Sequence, residues 1–282
     1  MKIKIASDLH VDLNKDGNFG FRHDKFDMLL IAGDIAGSYR KEKKFLDGLS
    51  KDITVPIYVI AGNHLGYDYS NDKLFSICFG INNNIDGTKQ WSINYLKKNL
   101  PNNIHYMDND WVDIGDYVLF GGTMYSNYEL YENHDLCKSC GLNWLNDFKY
   151  VYEYFPKEKI IRPITPEDYC AWFKKFKRRL NKCIKETEKD LIIMTHFCPS
   201  IKSISNEYLK GNEKYLNASY ASNLESYIKK NPRIKLWICG HVHHAHEYQI
   251  GECKVISCPY GYFGREQKVS PKKWHGKDFE IC

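Results

Sequence analysis

Five short apolar runs, each followed at once by Asp, Asn or His, constrain this chain more than any other feature. Ile3 to Ala6 leads into Ser7-Asp8-Leu9-His10, Met28 to Ala32 into Gly33-Asp34, and Ile57 to Ala61 into Gly62-Asn63-His64. Late in the chain, Leu191 to Met194 leads into Thr195-His196, and Leu236 to Cys239 into Gly240-His241-Val242-His243. Continuous rather than alternating hydrophobicity over so short a run reads as a strand buried on both faces, which requires a sheet covered by helices. The expectation is a layered α/β fold. A hairpin-like pair, Tyr248 to Ile250 and Cys253 to Ser257, joined through Gly251, extends the sheet system towards the end of the chain.

In open α/β sheets, ligands collect at the carboxyl ends of the strands, so five such ends can converge on one site. The donors there are carboxylate, imidazole and amide oxygen without a thiolate, a set that suits a divalent ion such as Mn, Zn, Fe or Ni. Asp8 and His10 lie two apart, as do His241 and His243; on an extended segment each pair points the same way and grips one ion. The seven donors Asp8, His10, Asp34, Asn63, His196, His241 and His243 are too many for one tetrahedral site. They suit two ions that share a carboxylate, the arrangement in which a bridging hydroxide attacks phosphorus. Any one of these pieces alone reads as a turn with a satisfied polar residue. The order and number of all five carry the signal.

Composition adds limits. The 282 residues are 43 % hydrophobic and 27 % charged, enough for a full core. No apolar run approaches the ~18–20 residues that cross a bilayer, and the start, MKIKIASDLH, turns polar before a signal-peptide core forms. A cytoplasmic chain with no membrane partner is expected. Ten scattered cysteines in so long a chain read as reduced thiols, and a net charge of +5 is too small to argue for nucleic acid as a bulk partner.

From about Tyr125 to Lys189 the pattern changes to Tyr, Trp, Lys and Asn, with no run resembling a buried strand. We read residues 1–282 as one domain carrying a helical cap inserted at about 125–189. Thr165, Pro166, Glu167 and Asp168 form a helix start, with a hydroxyl cap, proline at the first position and acids in the first turn. Trp172, Phe173, Phe176, Leu180 and Ile184 then recur at helical spacing, while Lys174, Lys175, Lys177, Arg178 and Lys182 fall mostly on a solvated face.

The motifs D-x-H, G-D, G-N-H, a lone H and G-H-x-H together resemble the calcineurin-like metallophosphoesterase superfamily. The resemblance covers Lys2 to Arg265 apart from the insertion. The segments from Thr195 to Ser200 and from Leu216 to Ser222 resemble a small bacterial and phage branch of it. The resemblance implies a four-layer α/β/β/α sandwich with two mixed sheets. It also implies that Asp8, His10, Asp34 and His243 hold one metal and Asp34, Asn63, His196 and His241 a second, with Asp34 bridging. His64 would face the substrate as proton donor to the leaving group or stabiliser of the phosphoryl oxygens. The family often continues G-D-x-x-D and G-N-H-[DE], where this chain has Gly37 and Leu65. The missing acids are not ligands, but a carboxylate after the His often orients it, and Asp68 is the candidate substitute.

The reaction class so implied is phosphoester hydrolysis with two divalent cations, the favoured substrate being a nucleotide or other small phosphodiester. The alternatives are a serine/threonine phosphoprotein phosphatase, a DNA nuclease, and a non-catalytic binding module on the same fold. A complete set of seven costly polar donors argues against the last. The nuclease branch carries a DNA-binding region after its frame, and here the frame ends within about twenty residues of Cys282, so nucleic acid is the less favoured partner. Tyr220, Tyr260, Tyr262 and Arg265 are candidate substrate contacts by stacking or phosphate clamping. His134, Cys137 and Cys140 have ligand-like spacing but lack the second thiol pair of a structural zinc site. His244 and His246, facing away from His241 and His243 on an extended segment, read as surface or supporting residues.

Overall fold

Alternation along each strand decides the layering. The computed structural model describes residues 1–14, 17–67 and 88–281. Strand β1 (Lys2–Ala6) pairs in parallel with β2 (Met28–Ile31), which after helix α1 (Tyr39–Asp52) pairs in parallel with β3 (Ile57–Ile60). Helix α2 (Lys89–Asn99) leads to β4 (Ile104–Met107), parallel to β3. The chain then crosses to a second sheet through the antiparallel pair β5 (Asp110–Asp113) and β6 (Tyr117–Gly122).

Next come α3 (His134–Trp144), the short α4 (Asp147–Tyr150), the antiparallel hairpin β7 (Tyr152–Phe155) and β8 (Ile160–Pro163), and the long α5 (Pro166–Glu186). The second sheet continues with β9 (Asp190–Thr195), α6 (Glu225–Lys229), β10 (Ile234–Cys239), β11 (His246–Ile250) and β12 (Cys253–Ser257). Finally β13 (Lys277–Glu280) returns to pair antiparallel with β1. The sheets are ordered β13-β1-β2-β3-β4 and β11-β12-β10-β9-β6-β5.

Ile3, Ile5, Leu30 and Ile60 of the first sheet meet Ile192, Met194, Leu236 and Ile238 of the second in a shared core. Their neighbours in sequence face outward: Leu29, Ile31 and Val59 pack under Leu46, Leu49 and Leu96 of α1 and α2. On the far side Leu191, Ile193 and Trp237 pack under Phe173, Phe176 and Leu180 of α5. Each such fully buried aliphatic side chain contributes about 1.5–3 kcal/mol relative to exposure, so these three interfaces supply the driving force for the four layers. Among the described residues no helix is long and apolar enough to cross a membrane.

The stretch expected as a helical cap contains α3, α4 and α5 but also the β7–β8 hairpin, whose half-exposed strands lack the apolar runs that mark buried ones. Helix α5 begins where the capping pattern places it, with the Thr165 backbone N–H donating to Asp168 Oδ2 at 2.8 Å. It packs on the second sheet as its outer layer, Phe176 meeting Phe120 edge-on at 5.3 Å between ring centroids.

Candidate metal centre

The chain turns sharply at the strand ends, and the backbone there is strained. Asp8 (φ 52°), His10 (41°), Asp34 (49°), His241 (71°) and His243 (47°) all adopt left-handed conformations, five of the nine non-glycine residues with positive φ among those described. Such conformations cost of order 1–3 kcal/mol each and persist only where surrounding structure enforces them. Contrary to the expectation from their spacing, neither Asp8 and His10 nor His241 and His243 lie on an extended segment, and their side chains converge because the backbone repeatedly enters the left-handed region.

Two glycines make room for carboxylates from other motifs. A Cβ on Gly62 would lie 1.8 Å from Asp34 Oδ1, and one on Gly240 would lie 2.6 Å from Asp8 Oδ2. The glycine of each motif thus serves the acid of another.

The donors fall into overlapping groups: Asp8, His10 and His243; His10, Asp34 and His64; and Asp34, His196 and His241. His10 Nε2 faces His243 Nε2 at 3.0 Å, and His243 Nε2 lies 3.5 Å from Asp8 Oδ1. On the other side His196 Nε2 lies 2.8 Å from Asn63 Oδ1 and 3.3 Å from Asp34 Oδ2. Asp34 stands between the two sides. His64 Nε2 is 3.8 Å from Asp34 Oδ2, and the His64 backbone N–H donates to Asp34 Oδ1 at 3.0 Å.

The arrangement fits cations. The His196 Nδ1–H donates to the Ala32 carbonyl at 2.9 Å, which leaves its Nε2 lone pair facing the oxygens of Asn63 and Asp34. Asn63 donates through Nδ2 to Asp147 Oδ1 at 2.8 Å, so its Oδ1 is the atom aimed inward. Three acceptors that face one another repel unless a cation or a proton lies between them. His241 Nε2, moreover, is buried without a hydrogen-bond partner among the described residues.

Protonation follows the same logic. Burial pushes Asp8 up, but the hydrogen bond and charge of His243 outweigh it and hold the carboxyl at about 2. Burial likewise acts against ionised Asp34, yet His196 and His64 keep it well below the usual carboxylate range. Burial lowers His10 to about 4, and drives His241 well below its ordinary value with help from the charge of His196. Burial also opposes charge on His243 and His196, but Asp8 and Glu266 raise the first to about 10 and Asp34 raises the second.

Two supporting carboxylates escaped the sequence reading. Glu266 accepts from His243 Nδ1 at 2.6 Å, directing the other ring nitrogen into the site. Buried Asp147, from α4, accepts from Asn63, from the Tyr67 hydroxyl and from the Tyr169 hydroxyl. Tyr67 in turn stacks on His64 at 4.2 Å between centroids and 20° between planes. Neither acid carries a local motif; each lies more than 20 residues from the group it supports, so no spacing rule finds it. Asp68, the sequence candidate for orienting His64, lies outside the described residues.

The substrate candidates separate. Tyr220 lies against His241 at 5.0 Å, and Tyr262 against His10 at 4.7 Å and His243 at 4.8 Å. Tyr260 is a correction: it is 2 % exposed, packs on Phe19 and Trp274, and donates its hydroxyl to the Val269 carbonyl at 2.9 Å, so it faces the core. Arg265 is on an exposed turn beside Glu266. His134 is exposed and Cys137 buried on α3.

The chain belongs to the calcineurin-like phosphoesterase family, whose model matches residues 1–245. Members hydrolyse phosphoesters at a dinuclear divalent metal centre, and this chain is a metal-dependent phosphoester hydrolase of that class. It is 23 % identical over 282 residues to uncharacterized protein L509 of Acanthamoeba polyphaga mimivirus, covering 95 % of this chain and 94 % of that one. Its fold is similar to that of the phosphopantetheinyl hydrolase of Mycobacterium tuberculosis, with a TM-score of 0.65 and 13 % identity over 96 % of this chain and 94 % of the other. A dimetal phosphatase of Danio rerio aligns with a TM-score of 0.47 and 14 % identity, over 96 % and 89 % of the two chains.

Proposed function

We propose that the chain hydrolyses small phosphodiesters or nucleotides. In this reading Asp8, His10, Asp34 and His243 hold one divalent ion, and Asp34, Asn63, His196 and His241 hold the other. The observation that carries the pairing is the position of Asp34, whose carboxylate lies in donor groups with His10 on one side and with His196 and His241 on the other. When bound, the ions supply Lewis-acid polarisation of the phosphoryl oxygens and make water a nucleophile near neutral pH.

The remaining steps belong to side chains. His64, held by the stacked Tyr67, donates a proton to the departing oxygen. Glu266 and Asp147 keep His243 and Asn63 turned inward. Tyr67, Tyr220 and Tyr262, each partly exposed and each against a histidine of the site, offer ring faces to a base or sugar. That aromatic surround favours a small ligand over a folded phosphoprotein, and the stretch at about 125–189 contributes to the site through Asp147.

The test is an activity screen of metal-reconstituted protein on bis-p-nitrophenyl phosphate, p-nitrophenyl phosphate, a nucleotide panel, a phosphopantetheinyl ester and phosphopeptides. The phosphopantetheinyl ester belongs there because the fold neighbour bears that name. Faster turnover of phosphopeptides than of any nucleotide or diester would overturn the substrate class.

A further inference from the structure

We propose that Cys198, Cys239 and His246 form a second, sulfur-containing site for one zinc-like ion, separate from the seven nitrogen and oxygen donors. Their ligand atoms all lie within 4.8 Å of one another. The Cys239 thiol donates to His246 Nε2 at 3.7 Å. A tetrahedral ion with bonds of about 2.3 Å to sulfur and 2.0–2.1 Å to nitrogen sets that edge at about 3.6 Å, so the Cys239–His246 pair is already at ligand spacing.

The imidazole is already oriented as a ligand. The His246 Nδ1–H donates to the His244 carbonyl at 2.8 Å, fixing the tautomer whose Nε2 lone pair faces the thiols. Burial lowers His246 to about 4, so the ring is neutral at physiological pH and has no proton to displace. Cys198 and Cys239 are fully buried, while His246 is half-buried at the start of β11. Two thiols and an imidazole select a borderline or soft cation over the harder ions.

The placement gives the site a purpose. Cys198 lies two residues after His196 and Cys239 two before His241, so one ion would tie together the ends of β9 and β10 that present those histidines. His246, expected from the sequence to be a surface or supporting residue, would in this proposal be a ligand.

Cobalt(II) tests this, because only thiolate ligands give a sulfur-to-cobalt charge-transfer band and none of the seven donors contains sulfur. Protein saturated with Mn is titrated with Co(II). A band that plateaus at the intensity of one two-thiolate cobalt per chain is expected, and it should vanish in the Cys198→Ala/Cys239→Ala variant while that variant stays folded by circular dichroism and still takes up cobalt at the nitrogen and oxygen donors. His246→Ala, at a half-buried position that leaves the core intact, should weaken cobalt binding at least tenfold. No band in the folded wild-type protein, a band undiminished in the double variant, or unchanged affinity in His246→Ala would each overturn the proposal.

Discussion

The side-chain amide of Asn63 donates to the carboxylate of Asp147 at 2.8 Å across 84 residues of sequence. This one hydrogen bond sets which end of the Asn63 amide faces the metal centre. It also ties the long segment between β6 and β9 to the site, since the same carboxylate holds Tyr67 beneath His64. Replacing Asp147 with Ala removes the acceptor shared by Asn63, Tyr67 and Tyr169, and a buried donor left unsatisfied costs about 1–3 kcal/mol. Asp147→Asn should fold better yet lower the affinity for one ion by about 10–100-fold, the usual effect of losing a supporting partner. Calorimetric metal titration of the variant checks this; unchanged affinity for both ions would contradict it.

Asp34 and His10 should differ in kind. Asp34→Asn is expected to lose both ions, because that carboxylate stands between the two donor groups, whereas His10→Asn should mainly weaken one. Elemental analysis after gel filtration counts the ions retained. Two ions bound to Asp34→Asn with wild-type affinity would refute a shared role for this residue.

His64→Ala should keep both ions. Its activity on esters with poor leaving groups should fall about 10²–10⁴-fold, with a smaller loss on an activated nitrophenyl ester that needs little protonation. Equal losses on the two substrates would assign His64 to positioning instead.

Metal-free protein should lose stability as pH rises. His243 has a folded-state value raised to about 10 from 6.5, with burial opposing and Asp8 and Glu266 favouring its charge. Its contribution is therefore complete below about pH 6.5 and is lost as pH climbs through 10, at up to about 1.4 kcal/mol per unit. Urea unfolding of chelated protein between pH 6.5 and 10 should show this slope, and His243→Gln should flatten it. The same proton must leave when a cation binds, so binding near pH 7.5 should release protons to buffer in calorimetry.

The left-handed backbone makes a further comparison informative. At His241, with φ of 71°, Gly should be better tolerated than Ala in the metal-free protein, by about 1–2 kcal/mol. Thermal unfolding of His241→Gly and His241→Ala after chelation measures the difference. An Ala variant at least as stable as the Gly variant would show that the backbone relaxes once the imidazole is gone.

The sequence by itself marked the seven strands with apolar runs and put forward the candidate donors, but not β4, β5, β6 or β13, which complete the two sheets. Runs such as Ile57 to Ala61 are buried on both faces and so show as unbroken hydrophobicity, and a polar residue directly after such a run is conspicuous. The start of α5 was legible for the same reason, since Thr165, Pro166 and Asp168 act within one turn. What tertiary structure decided lies between segments. The donors of β1, β2 and β3 belong to one sheet and those of β9 and β10 to the other, so only the packing of two sheets makes them one site. Glu266 and Asp147 reach their partners across 23 and 84 residues, and Cys198 reaches Cys239 and His246 in the same way. Tyr260 and Tyr262, two residues apart, look alike in sequence yet end in the core and beside the metal centre respectively. Local patterns report a residue's own strand or turn; which distant group it meets depends on how the layers stack, and no spacing in the chain encodes that.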